Sequence, residues 1–222
     1  MKNIKGAIFD VDGTLIDSMH IWDSAAADYL KSHGISPPEN LIDELRAIGG
    51  SDIPEYFRVK YSIDKTEEDI ALEIRNMIIN KMLVDAPIKE GVLDVLEGLK
   101  KRGIRMCAAT ASPRIYVEPV LEKHGILGYM ERIFTCDEEN TTKSKPDIYI
   151  RASKYLRTVV YETLVFEDAL YAVKTAKKAG FPVVGLYDLS SAAHQEEIKS
   201  TSTYYYKSMT DFLVDFNKMS EN

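Results

Sequence analysis

The sequence predicts an α/β protein, with a doubly wound, mainly parallel sheet and a helical bundle inserted near its start. Three observations predict it. From Pro87 onward, short apolar runs alternate with amphipathic helical stretches, the pattern of a parallel sheet with right-handed crossovers. The first apolar run, Ala7-Ile8-Phe9, stops abruptly at Asp10-Val11-Asp12-Gly13-Thr14. A strand ending in acids places them at the carboxyl edge of a sheet, where open α/β folds bind ligands. Between these two regions, residues 16–86 carry helical periodicity and no convincing strand.

Taken in order, the first strand ends in a turn that Gly13 permits. Trp22, Ala25, Ala26, Tyr29 and Leu30 then recur at helical spacing, with Asp17 or Ser18 as N-cap and His33-Gly34 as stop. Trp22 is expected in the core of this bundle. Pro37-Pro38 opens a second helix carrying Leu41, Ile42, Leu45 and Ile48, and Gly49-Gly50-Ser51-Asp52 forms a loop before a third. Thr66-Glu-Glu-Asp precedes a long helix through Met82. Residues 1–15 and 87–222 therefore form the sheet domain and 16–86 the helical insert, joined near 14–17 and 84–89. In the second part, helices over Gly91–Arg102, Pro113–His124, Ile148–Leu156 and Ala169–Ala179 separate strands at 104–109, 132–136, 163–166 and 182–186. Tyr204-Tyr-Tyr reads as a last short strand and Met209–Phe216 as a terminal helix.

The composition narrows the function. A net charge of −7 argues against a nucleic-acid or anionic-membrane binder, which needs a basic face. No apolar run is long enough for a bilayer, and the first residues enter a strand instead of a signal peptide, so a cytoplasmic location is expected. Cys107 and Cys136 fall in core strands and lack zinc spacing. The four histidines also lack metal spacing. Two carboxylates as close as Asp10 and Asp12 repel unless a cation lies between them, and a hard, oxygen-liganded ion suits that position. Nothing in the sequence speaks to oligomeric state.

The stretch Phe9-Asp-Val-Asp-Gly-Thr-Leu-Ile-Asp-Ser resembles the first motif of the haloacid dehalogenase superfamily, and three further motifs follow in order. The resemblance implies a Rossmann-like core whose helical cap is inserted after the first motif. It implies Asp10 as the nucleophile that becomes an aspartyl phosphate, and Asp12 as general acid and then base. An acid at position 12 favours phosphoryl chemistry, because a halide leaving group needs no proton. The second motif is Thr110, which in the family bonds the transferring phosphoryl group; Ser112 would cap the helix that Pro113 opens. The third is a lysine in Thr141-Thr-Lys-Ser-Lys-Pro-Asp-Ile-Tyr. Family spacing favours Lys143, while counting from Lys-Pro favours Lys145. The fourth is Glu167-Asp168 after Leu164-Val-Phe, with Ala169 where the family commonly has Ser. Asp10, the Asp12 carbonyl, Asp168 and Glu167 would hold Mg²⁺.

The function this implies is a Mg²⁺-dependent phosphatase acting on a small phosphorylated metabolite, a sugar phosphate being one such class. Two alternatives share the fold. A β-phosphoglucomutase-like enzyme would carry a cap histidine, where Trp22 stands, and a cap arginine near Gly49–Ile53, where none occurs. The other is a non-catalytic binding protein on the same fold, against which stands the acidic and basic set, since carboxylates clustered in one cleft destabilise a fold that holds no metal. Met19, His20, Trp22 and the Gly49–Asp52 loop are the cap positions open to the leaving group.

Overall fold

The computed structural model describes residues 3–48 and 52–220. It divides into two compact units, one of Met1–Asp17 with Pro87–Asn222 and one of Ser18–Ala86.

The larger unit is built on a six-stranded sheet. Its strands are β1 (Gly6–Phe9), β2 (Arg105–Thr110), β3 (Ile133–Thr135), β4 (Thr163–Glu167), β5 (Val183–Leu186) and β6 (Tyr204–Tyr206). They run parallel in the order β3-β2-β1-β4-β5-β6. Every residue of β1, β4 and β5 is buried, as a parallel sheet covered on both faces requires. Alternate residues face opposite ways. Ile8, Cys107, Val165 and Val183 pack into one cluster with Tyr149, Val173 and Ile198 from flanking helices. On the next positions, Phe9 and Phe166 stack with ring centroids 4.4 Å apart, and Phe212 meets Phe166 edge-on at 4.9 Å. Both cysteines are buried and free. The chain leaves β1 for β2 on one side and later returns to β4 on the other, so the order reverses at β1. Such a switch point is where open sheets of this kind hold ligands.

The smaller unit contains α1 (Met19–Ser32), α2 (Leu41–Ile48), α3 (Ile53–Lys60) and α4 (Glu67–Asp85). Tyr29, Leu30, Leu41, Leu45, Phe57, Ile63 and Ile70 form its core, with the Tyr29 and Phe57 rings stacked 5.6 Å apart. Thr66 caps α4 by accepting the Asp69 N–H at 3.1 Å. Trp22 is only half-buried, whereas Ile21, Ala25, Tyr29 and Leu30 are buried. The inward stripe of α1 thus runs through Ile21 and leaves Trp22 beside it. Gly49, Gly50 and Ser51 lie outside the described residues.

Helices α5 (Val92–Lys101), α6 (Arg114–Lys123), α7 (Asp147–Tyr155), α8 (Leu170–Lys178), α9 (Gln195–Thr201) and α10 (Met209–Ser220) belong to the larger unit. Two features depart from the sequence reading. Helix α9 and the 3₁₀ turn before it, Leu189–His194, are additional elements. Ile16 and Asp17 belong with the sheet unit instead of the insert. Ile16 is wholly buried and forms β-bridges with Asp12 and Ile88, and the Asp17 N–H donates to Pro87 O at 2.9 Å. Backbone pairing, not side-chain pattern, sets that boundary. Among the described residues no helix is long and apolar enough to cross a membrane.

Candidate active site

The site forms where three strands end. Phe9 lies level with Ala108 of β2 and Phe166 of β4, so Asp10 is the first residue past the central strand. Its N–H still donates to Phe166 O at 3.0 Å, which fixes its height at the sheet edge. The chain then folds tightly on itself. Val11 O accepts from the Leu15 and Ile16 N–H groups, both at 2.9 Å, and the Gly13 N–H donates to Ile16 O at 2.8 Å. Gly13 has φ 82°, and a Cβ there would lie 2.5 Å from Asp168 Oδ2. Both the left-handed backbone and the approach of a carboxylate exclude a side chain.

Glu167 ends β4 and Asp168 follows it; both are buried. One oxygen from each of Asp10, Glu167 and Asp168 lies within 4.8 Å of the others. Lys143 reaches this cluster from the loop between β3 and α7. It is 3% exposed and donates through Nζ to Asp10 Oδ1 and, at 2.7 Å, to Glu167 Oε1. Lys145, two residues on, is exposed. Of the two lysines, the geometry brings Lys143 to the carboxylates.

Thr110 is the buried last residue of β2, on the strand beside Asp10. Its Oγ1 accepts the Ser112 N–H at 3.0 Å. Ser112 does not cap α6: the residue at the cap is Pro113, with no side-chain cap bond. The Ser112 hydroxyl instead donates to Asp12 Oδ2 at 2.6 Å. A carboxylate is the stronger acceptor, and the register of β2 against β1 brings it within reach. The Asp12 carboxylate therefore lies on the Ser112 side and outside the three-carboxylate cluster.

Three orienting groups were not singled out by sequence reasoning. Thr14 Oγ1 donates to Asp168 Oδ1 at 3.0 Å. The wholly buried Tyr149 donates through its hydroxyl to Glu167 Oε1 at 2.7 Å. Lys89 pairs at 2.6 Å with the buried Asp188, whose field reaches Asp168. Thr14 and Tyr149 stand inside the motifs already quoted, so their nearness in sequence was the available signal.

Electrostatics describe a site short of positive charge. Burial, then Glu167 and Asp188, push the Asp168 carboxyl up to about 7. Burial raises Asp10 well above the usual carboxylate range, against the pull of Lys143 and with the added repulsion of Glu167, Asp168 and Asp12. Burial alone would drive the Lys143 ammonium down, but Asp10 and Glu167 beside it hold it charged and above its ordinary value. One ammonium thus faces several carboxylates in low dielectric, an arrangement that a divalent cation relieves. The donor set fits one: it is all oxygen, and Glu167 Oε2 is buried with no hydrogen-bond partner.

Residues 4–180 match the model of the family described as haloacid dehalogenase-like hydrolase, and the chain belongs to that family. Relatives lie along most of its length. Validoxylamine A 7'-phosphate phosphatase of Streptomyces hygroscopicus subsp. limoneus is 27% identical over 93% of this chain and 95% of its own. A phosphorylated carbohydrates phosphatase of Thermotoga maritima is 25% identical over 80% of this chain and 82% of its own. Phosphoglycolate phosphatase of Pseudomonas fluorescens is 30% identical over 81% of this chain and 68% of its own. Among solved structures, a β-phosphoglucomutase candidate of Thermotoga maritima superposes with a TM-score of 0.80 at 21% identity, covering 96% of this chain and 99% of that one. At that identity the likeness concerns the fold.

Proposed function

We propose that this protein is a Mg²⁺-dependent phosphatase that hydrolyses a small phosphorylated metabolite, a sugar phosphate by class, through an aspartyl phosphate on Asp10. The observation that carries this reading is the buried Asp10 carboxylate at the switch point of the sheet, bonded by Lys143 and grouped with Glu167 and Asp168. The relatives named for phosphatase activity, one of them for phosphorylated carbohydrates, support the reaction and the substrate class.

In this reading a carboxylate oxygen of Asp10 attacks phosphorus, and the bond to the substrate oxygen breaks with its electron pair going to the leaving group. Asp12 gives that oxygen a proton. It then takes one from the water that attacks the aspartyl phosphate and frees Asp10. The Thr110 hydroxyl positions the transferring group, and the Lys143 ammonium counters the charge spread over its oxygens. Asp10, Glu167 and Asp168, with the Asp12 carbonyl, would hold Mg²⁺, which when bound supplies charge neutralisation at the phosphoryl oxygens. The inserted helical unit is the element assigned to choosing the leaving group, as a cap.

The test is release of phosphate from an aryl phosphate and from a panel of phosphorylated metabolites, with Mg²⁺ and after chelation. Asp10→Asn removes the nucleophile and is expected to abolish release. Retained turnover in that variant overturns the assignment. Interconversion of sugar phosphates without free phosphate would identify a mutase instead.

A further inference from the structure

The three clustered carboxylates share one feature. Each has one oxygen already engaged by a protein donor. Asp10 Oδ1 takes Lys143 Nζ; Glu167 Oε1 takes both Lys143 Nζ and the Tyr149 hydroxyl, each at 2.7 Å; Asp168 Oδ1 takes the Thr14 hydroxyl at 3.0 Å. The second oxygens differ in kind. Glu167 Oε2 is buried and without a partner. Beside Asp168 Oδ2 the chain has Gly13, whose missing Cβ keeps the approach open.

We propose that Tyr149 and Thr14 are positioning residues that hold Glu167 and Asp168 as single-oxygen donors and thereby tune the site to Mg²⁺ against Ca²⁺. The inference rests on the reading of this cluster as the metal site. Its physical basis is the different demand of the two ions. Mg²⁺ takes near-octahedral coordination with few carboxylates, whereas Ca²⁺ takes more oxygens at longer range and readily binds a carboxylate through both. A carboxylate with one oxygen committed inside the protein resists the second mode. Tyr149 serves this well because its ring is locked in the core beside Phe181, with centroids 6.2 Å apart, so its hydroxyl has little freedom to leave Oε1. Groups that orient metal ligands in this way typically change affinity by about 10- to 100-fold when removed.

The experiment titrates the thermal midpoint of the whole purified chain with Mg²⁺ alone and with Ca²⁺ alone, since a ligand that binds the folded state raises that midpoint. Tyr149→Phe keeps the ring and removes the hydroxyl; Thr14→Val keeps the shape and removes the donor. Each variant is expected to need about 10-fold more Mg²⁺ for half the shift, with a smaller change or a gain for Ca²⁺. Wild-type titration curves for both ions in both variants overturn the proposal, even if the metal-free midpoint falls, because that fall marks a packing role alone. If Tyr149→Phe does not fold, Thr14→Val decides by the same criterion. Asp168→Asn separates the two levels of inference. Loss of the Mg²⁺ shift there upholds the metal site whatever Tyr149 does, and an unchanged shift removes the metal reading together with this one.

Discussion

Lys143 and Lys145 stand two positions apart in one polar loop, and burial separates them. Lys143 is a buried counter-charge to two carboxylates, while Lys145 is exposed. Removing one partner of a buried charge group leaves the others uncompensated, at about 3–5 kcal/mol. Lys143→Met is therefore expected to lower unfolding free energy by roughly that amount and to abolish phosphate release, whereas Lys145→Met should change stability by less than about 0.5 kcal/mol. Urea denaturation of both variants checks this. Ser112 supplies a second contrast. Its hydroxyl bonds Asp12 and its N–H bonds Thr110. Ser112→Ala should lower kcat/KM for alkyl phosphates about 10-fold, the effect of one such bond, and for aryl phosphates much less, because an aryl leaving group departs without a proton. Equal losses on both substrates would assign Ser112 to structure only. The acids of this site were legible in the sequence because they end apolar strands. The hydroxyls that orient them were not, since a Ser, Thr or Tyr has many partners within reach in sequence and only the strand register selects one. Ser112 shows this directly, having left the expected helix cap for Asp12.

Among the elements, those marked by an apolar run or a start signal are readable and those held by polar bonds are not. Strands β1, β4 and β5 are apolar throughout because both faces are covered. Helix α9 has no apolar pattern to mark it in the sequence, because Ile198 is its one buried apolar residue. Polar bonds hold this region instead: Gln195 Nε2 donates to Asp188 O at 3.1 Å and accepts the Tyr205 hydroxyl through Oε1 at 2.8 Å. Helix α4 was readable from its start signal. Thr66 Oγ1 accepts the Asp69 N–H at 3.1 Å and donates to Asp69 Oδ2 at 2.7 Å. Thr66→Ala is expected to cost about 1 kcal/mol. Hydrogen exchange should register the loss as faster exchange in the first turn of α4, with β1 and β4 amides unchanged.

For the molecule as a whole, the excess of buried carboxylate is expected to make stability depend on pH and, under the proposed function, on metal as well. In the metal-free chain Asp168 rises from the ordinary 3.8 to about 7, with burial as the main cause. The folded state then holds this proton more tightly than the unfolded state. The stability it contributes is complete below about pH 4, falls as pH rises through the interval and is lost above about pH 7. Asp10 shifts in the same direction. With a chelator present, the thermal midpoint should therefore fall between about pH 4 and about pH 7, and the gain on adding Mg²⁺ should be larger at the upper end. A Mg²⁺ gain independent of pH would contradict the shared origin of the two effects.

The order of the strands carries one more consequence. The central strand is made first, yet Ile8 waits for Cys107, about a hundred residues later, and Val165 joins still later. On the ribosome, the Ser18–Ala86 helices emerge with short-range contacts of their own, while Ala7, Ile8 and Phe9 have no sheet to enter. Synthesis thus completes the chain of the helical unit before that of the sheet, and the Ala7–Phe9 strand is expected to spend that interval as bare apolar chain, the stage at which a holdase would find the nascent protein most exposed.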